Sequence, residues 1–171
     1  MRRTNVFGLA VVGFGLLVSG SAVIAGELAE GDEAPGFSAK DQSGDKQKLS
    51  DFTEDGSVVL VFSRAHWCPF CAGHLRSLQA KYSAFKEAGA EVVVVLREER
   101  DGAEGIAKMR RASGAKFPIL IDAPAEATSA YSTQGYDAYV INSKGKIVKV
   151  IDGLKTKRPA AGELLEAVKG L

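Results

Sequence analysis

Cysteine is scarce in this 171-residue chain, which holds two, Cys68 and Cys71. That is too few for a disulfide-stapled miniprotein, and no third thiol remains for a structural bridge. Neither sign of charge is in excess, with 22 Lys plus Arg against 21 Asp plus Glu. Overall charge therefore gives no pull toward nucleic acid or an anionic membrane surface. There is little length for a second domain at about 150 residues each, and no internal repeat or low-complexity tract follows residue 25. Charged residues at 25% and hydrophobic residues at 46% are near ordinary globular values, which argues against collagen-like, disordered and coiled-coil classes. One folded core is expected.

Residues 1–25 read as an address. Met1-Arg2-Arg3 gives a basic start, Val6 to Val18 a mostly apolar run, and small residues lead to Val23-Ile24-Ala25, the layout of a secretory signal. Cleavage is expected after Ala25. An uncleaved anchor is the alternative, since Val6 to Ala25 nearly spans a bilayer, but the glycines and the A-x-A-like end favour cleavage. No cysteine directly follows that point to accept a lipid. The expected layout is a signal peptide over 1–25 and one folded domain over 26–171, secreted into the bacterial periplasm and without stable membrane insertion.

Along the mature chain, Phe37 to Lys40 and Lys46 to Leu49 flank a turn-rich stretch and predict a small hairpin. Val58 to Phe62 and Val92 to Leu96 are unbroken aliphatic runs, as expected for central strands covered on both faces. Between them Leu75, Leu78, Tyr82 and Phe85 share one face of a helix that ends at Gly89. A second helix is expected over Glu104 to Ser113, then a short strand over Phe117 to Ile121. Ala138 to Asn142 and Ile147 to Asp152 flank a hairpin signal at Ser143 to Lys146. Pro159 to Lys169 reads as a closing helix with proline in its first turn. The order β–α–β–α–β–α–β–β–α predicts an α/β fold: a mixed central sheet flanked by helices on both faces, with an N-terminal β-hairpin extension.

Trp67-Cys68-Pro69-Phe70-Cys71 falls where the first central strand gives way to the long helix. A thiol there meets unpaired backbone N–H groups and the positive end of the helix dipole, which favour thiolate. Cys68 is thus expected to be the nucleophile. Cys71, one turn further in, is placed to attack a mixed disulfide on Cys68 and resolve it. Pro69 suits the first turn, where its missing N–H has no helical partner anyway. Half of a zinc site and inert packing are the competing readings. Zinc asks for four ligands, and the other candidates nearby are His66 and His74 at awkwardly tight spacing. Redox chemistry is preferred; it needs no cofactor and no metal.

Phe62 to Cys71, followed by Leu75-Arg76-Ser77-Leu78-Gln79, resembles the peroxiredoxin-like branch of the alkyl hydroperoxide reductase/thiol-specific antioxidant family, within the thioredoxin-like superfamily. Glu30 to Pro35, Phe117 to Asp122 and Tyr139 to Asn142 ahead of Gly145-Lys146 sit where that family has similar segments, so the resemblance spans nearly all of residues 30–171. It implies a thioredoxin-like fold and a thiol–disulfide oxidoreductase. The alternative is an antioxidant thiol peroxidase acting on hydroperoxides, and a metal carrier using Cys and His is a third possibility from another class. Expected partners are a protein thiol or disulfide, or a hydroperoxide, plus an external electron donor or acceptor protein. Two departures stand out. Ala65 holds the position where peroxide-reducing relatives usually carry threonine. Tyr136 holds the position of their arginine and of the thioredoxin cis-proline; a cis bond before a non-proline residue costs about 2.5–4 kcal/mol, so a trans bond is expected.

Arg64, four residues before Cys68, is expected either to place positive charge near the thiolate or to be a solvated strand-end arginine. His74, one turn after Cys71, is expected either to take and return the proton of thiol exchange or to be a solvated helix histidine. His66 is expected to shape the loop. Trp67, Pro69, Phe70 and Tyr136 are the expected docking surface for substrate, with Trp67 covering the sulfurs. Arg97, Glu98, Glu99 and Arg100 fall at the sheet edge where α/β proteins place ligands, and a solvated charge cluster is the preferred reading.

Overall fold

The computed structural model describes residues 28–132 and 135–171. The expected signal segment, 1–25, lies outside the described residues. Seven strands form one sheet in the order β2-β1-β5-β4-β3-β6-β7. At its centre β3 (Ser57–Ser63) pairs in parallel with β4 (Ala90–Leu96) over seven residues, and β5 (Ile119–Ile121) continues the parallel run. On the other side β6 (Ala138–Ile141) and β7 (Ile147–Ile151) add antiparallel strands. The predicted N-terminal hairpin, β1 (Ser38–Lys40) and β2 (Lys46–Lys48), joins the far edge through a pairing of β1 with β5.

The unbroken Val and Leu runs are buried on both faces, as their lack of alternation implied. Val59, Val61, Val92, Val94 and Leu96 face α2 (Pro69–Gln79), α3 (Tyr82–Glu87), α4 (Gly102–Ser113) and α5 (Ala161–Lys169), whose Leu75, Leu78, Phe85, Ile106, Met109, Leu164 and Val168 complete one core. On the opposite face Val58, Leu60, Phe62, Val93 and Val95 meet Phe37, Tyr131, Tyr139 and Leu49 of the short helix α1 (Leu49–Glu54).

Four features differ from the sequence reading. The long helix after β3 is two helices. Ala80 still donates to Arg76 O, but Lys81 donates to Leu78 O, tightening the last turn and ending α2. Tyr82 then opens α3, with its hydroxyl on Glu91 and its ring edge-on to Phe117. Helix α1 was not expected. A helix between β5 and β6 was expected by strand order, but residues 122–132 and 135–137 contain none. There the Asp122 carboxylate accepts from the amides of Ala127 and Thr128 and from the Thr128 hydroxyl. Side chains thus supply partners that a helix would otherwise provide, and helix cover on the second face is reduced to α1. Finally, α5 begins at Ala161, so Pro159 precedes the helix and lies outside its first turn.

The loop after β7 folds back tightly on the residue before β6. A Cβ on Gly153 would overlap the Tyr136 carbonyl, and the Gly153 amide donates to Asp137 Oδ1 at 2.6 Å. Gly153→Ala is therefore expected to destabilise the fold by about 1–3 kcal/mol, read as a lower midpoint in urea unfolding. An unchanged midpoint would mean that the two loops separate at no cost.

Candidate active site

Strand β3 ends at Ser63, and four residues carry the chain to Cys68, which caps α2 with extended backbone (φ −90°, ψ 108°). Pro69 takes the first helical position, as the sequence required. The Cys68 sulfur accepts from the Cys71 amide at 3.4 Å, and the two sulfurs are 2.6 Å apart. Cys68 is 4% exposed and Cys71 is fully enclosed. Access therefore distinguishes an outer from an inner sulfur.

Electrostatics orders the pair the other way. Burial pushes the Cys68 thiol up, and its contact with Cys71 does the same; the Cys71 amide opposes both. Burial also opposes ionisation of Cys71, yet its thiol is held below the usual value by Cys68, the Ser63 hydroxyl, the Arg64 backbone and Arg158. The Ser63 hydroxyl is buried and makes no hydrogen bond, whereas Arg158 Nη2 donates to Cys71 Sγ at 3.4 Å. Cys71 is thus favoured as the more acidic of the pair, against the expectation for Cys68: a helix start offers amides to Cys68, but among the described residues the cation in hydrogen-bond contact with a sulfur reaches Cys71.

The loop before Cys68 is pinned by Glu99, 3% exposed. Its carboxylate accepts from the amides of His66, Arg100 and Asp101 at 2.9–3.0 Å and from His66 Nδ1 at 3.0 Å. Burial raises the Glu99 carboxyl, but the His66 and Asp101 amides and the His66 ring outweigh it and hold it below its ordinary value. His66 thus shapes the loop, as expected. Arg97 is largely buried over the Phe62 ring at 3.9 Å and donates to the Thr128 hydroxyl and to the Thr128 and Ser132 carbonyls. Arg97 and Glu99 are therefore internal struts, a correction to the reading of 97–100 as a solvated cluster. Their alternation with Glu98 and Arg100 was the available signal.

Arg64 meets the first expectation only in small part. Its guanidinium forms a two-pronged pair with Glu98 at 2.7 Å and lies 4.5 Å from the Trp67 ring centre. Glu98 is its main partner, and a weaker electrostatic interaction reaches Cys68. His74 is buried, and neither ring nitrogen has a hydrogen-bond partner. Burial first, and the nearby Arg158 charge, press it down to about 4, against a rise from the Pro159 backbone. It is a neutral core residue, neither proton carrier nor solvated. The stripe Cys71, His74, Leu75, Leu78 is the helical spacing that predicts this burial.

Trp67, Pro69 and Phe70 form the exposed rim beside Cys68, with Trp67 at 50% and Phe70 at 64% exposure. Beside Trp67 runs a groove of about 970 Å³ lined by Arg64, Arg97, Arg100, Ile121 and Pro124. Tyr136 lies under the Arg158 guanidinium at 4.0 Å; the cis peptide bond among the described residues is Ala123–Pro124, away from this position. Tyr136 thus meets the site through Arg158, a residue the sequence reading missed. It sits in the cationic run Lys155 to Arg158, and nothing local marks which member turns inward. Among the described residues, the one grouping of three side chains able to hold a metal is His66, Glu99 and Asp101, which contains neither cysteine. Cys68, Cys71, His66 and His74 do not converge, so the metal-carrier reading has no ligand set.

Residues 30–150 match the AhpC/TSA family model. The chain belongs to the AhpC/TSA family. The thiol-disulfide oxidoreductase ResA of Bacillus subtilis (strain 168) is 29% identical to this family member over 158 residues, covering 91% of this chain and 86% of its own. Chloroplastic peroxiredoxin Q of Triticum aestivum is 25% identical over 159 residues, 88% of this chain and 71% of its own. Among solved structures, peroxidoxin BcpB from Mycobacterium tuberculosis superposes with a TM-score of 0.70 at 22% identity, covering 83% of this chain and 97% of that one. The thioredoxin-like α/β fold implied by the sequence is thereby established.

Because the native state keeps His74 neutral down to about pH 4, the unfolded chain takes up a proton between pH 6.5 and 4 that the folded chain refuses. Stability should fall as pH drops through that window, by up to about 3 kcal/mol from this group. His74→Gln is expected to remove that share of the acid sensitivity in urea unfolding measured across the window. Parallel curves for wild type and variant would show that the buried ring titrates normally.

Proposed function

We propose that this AhpC/TSA member is an exported thiol–disulfide oxidoreductase in which Cys68 forms a mixed disulfide with substrate and Cys71 resolves it. The observation that carries the reading is the sulfur pair itself, 2.6 Å apart, with Cys68 beneath the exposed rim at 4% exposure and Cys71 fully enclosed. When Cys71 is ionised, proton transfer to it from Cys68 frees the outer nucleophile, so the pair can serve as its own base. Cys68 then attacks the substrate disulfide and expels one thiolate. Cys71 gives its proton to solvent, attacks Cys68 Sγ and expels the second thiolate, and two electrons pass from the cysteine pair to the substrate. An external protein dithiol or disulfide resets the pair. Trp67 and Phe70 offer apolar area on which a polypeptide substrate docks.

The relatives' names support thiol–disulfide exchange through ResA and leave hydroperoxide as the competing substrate through peroxiredoxin Q. Local chemistry favours the former. Ala65 is buried and has no hydroxyl to offer a peroxide, and Arg64 is held by Glu98. Export rests on the layout of residues 1–25, with 26–171 as the mature domain. Among the described residues no helix is long and apolar enough to cross a membrane.

Cys68→Ser is expected to abolish dithiothreitol-linked insulin reduction, while Cys71→Ser accumulates mixed disulfides on Cys68; turnover retained by the first variant would overturn the assignment. In stopped flow with hydrogen peroxide, wild type should react no faster than a free thiol. Rapid, stoichiometric oxidation of Cys68 would make the protein a peroxidase instead. Protein recovered from the periplasm of an expressing bacterium should begin at Gly26; an intact Met1 would refute cleavage.

A further inference from the structure

The loop between β7 and α5 carries one side chain into the redox pair. Arg158 Nη1 donates to Leu154 O at 2.7 Å, Nη2 donates to Cys71 Sγ at 3.4 Å, and the guanidinium lies flat over Tyr136 at 4.0 Å. Its Nε is buried without a partner, so the group is held by the ring below, the carbonyl behind and the sulfur ahead. We propose that Arg158 is a catalytic residue of the resolving step, its guanidinium holding the negative charge on Cys71 while substrate is bound to Cys68.

The mixed-disulfide intermediate makes this contact more important than the resting state suggests. Once Cys68 is bonded to substrate sulfur it has no proton to share, and its contribution to the Cys71 thiolate disappears. The Ser63 hydroxyl, the Arg64 backbone and Arg158 remain, and Arg158 is the only cation among them. Of the groups beside Arg158, His74 is buried and pressed down to about 4, and Tyr136 presents its ring face; the Arg64 guanidinium acts on Cys68 and is paired with Glu98. In the step itself, the Cys71 thiol releases its proton to solvent, and the thiolate attacks Cys68 Sγ. The Cys68–substrate bond breaks as the Cys68–Cys71 bond forms, and the substrate leaves as thiolate. Arg158 keeps its protons throughout and acts by charge and direction.

This assignment rests on the dithiol reading, and the test separates the two. Reduced wild-type protein mixed with Ellman's reagent should release thionitrobenzoate in two phases: attack by Cys68, then resolution by Cys71. An opposite charge at contact distance lowers a thiol's pKa by about one unit or more, while intrinsic nucleophilicity falls with a Brønsted slope of about 0.4–0.5. In Arg158→Gln the second phase should therefore be about threefold slower than wild type at pH 6, should reach a plateau about threefold faster at high pH, and should have its midpoint raised by about one pH unit. The first phase should stay within about twofold. Arg158→Lys should move the midpoint most of the way back. Arg158→Met, which keeps an unbranched stem over Tyr136, serves as the charge-free variant if the glutamine form does not fold. Crossing pH profiles cannot arise from mere loss of loop support, which lowers both limbs together. An unchanged second-phase midpoint, equal slowing of both phases at every pH, or failure of lysine to restore the midpoint would each overturn the proposal. A wild type that releases only one equivalent would defeat the dithiol reading, and the role of Arg158 with it.

Discussion

The need to ionise an enclosed sulfur is the constraint around which this site is built. Burial alone drives a thiol toward its neutral form, and Cys71 is fully enclosed. Its thiol is nevertheless held below the usual value because groups converge from four directions: the second thiol on α2, a hydroxyl and a backbone group from the end of β3, and a guanidinium from the loop after β7. None of these elements is adjacent in sequence to all the others. The sheet order brings them together, with β3 between β4 and β6 and the β7–α5 loop returning over the end of β6.

The same logic of opposed charges stiffens the approach to Cys68. Glu99 is buried, yet its carboxylate closes a ring of amides that ties the loop at His66 to the turn at Arg100 and Asp101. Arg97, one strand over, ties Thr128 and Ser132 to the end of β4, and Asp122 ties Thr128 from the other side. Each buried charge is met by hydrogen bonds, as burial of ionised groups demands. Buried polar atoms without a hydrogen bond then stand out: among the described residues they are the Ser38 and Ser63 hydroxyls, the His74 ring nitrogens and the Arg158 Nε, and two of these residues, Ser63 and Arg158, act on Cys71.

Much of this was legible in sequence where information is local. Val58 to Phe62 and Val92 to Leu96 declare doubly covered strands because neither face is polar. Cys68-Pro69 declares a helix start because proline fits only where no amide partner is missing. The hairpin around Gly145 and the edge hairpin before β3 are likewise written in a few adjacent residues. The fold's departures are not local. Helix α2 stops where Tyr82 finds Glu91 and Phe117, and residues 122–132 and 135–137 do without a helix because Asp122 and Arg97 replace its hydrogen bonds. The site failed to show itself for the same reason. Arg64 looked available until Glu98, 34 residues away, was seen to occupy it. Arg158 gave no sign that it would turn inward. His74 was the exception: its burial followed from the spacing of Cys71, Leu75 and Leu78, and the chemical appeal of a histidine beside a thiol obscured it.

The cation that meets Cys71 lies 87 residues later in the chain. During synthesis both thiols therefore emerge long before the segment that biases their ionisation, and α5, which packs into the same core, follows later still. Until the β7–α5 segment arrives the sulfurs lack this neighbour. Maturation of the redox pair is thus tied to that later stretch of chain: a shorter nascent chain has the motif without the guanidinium beside it.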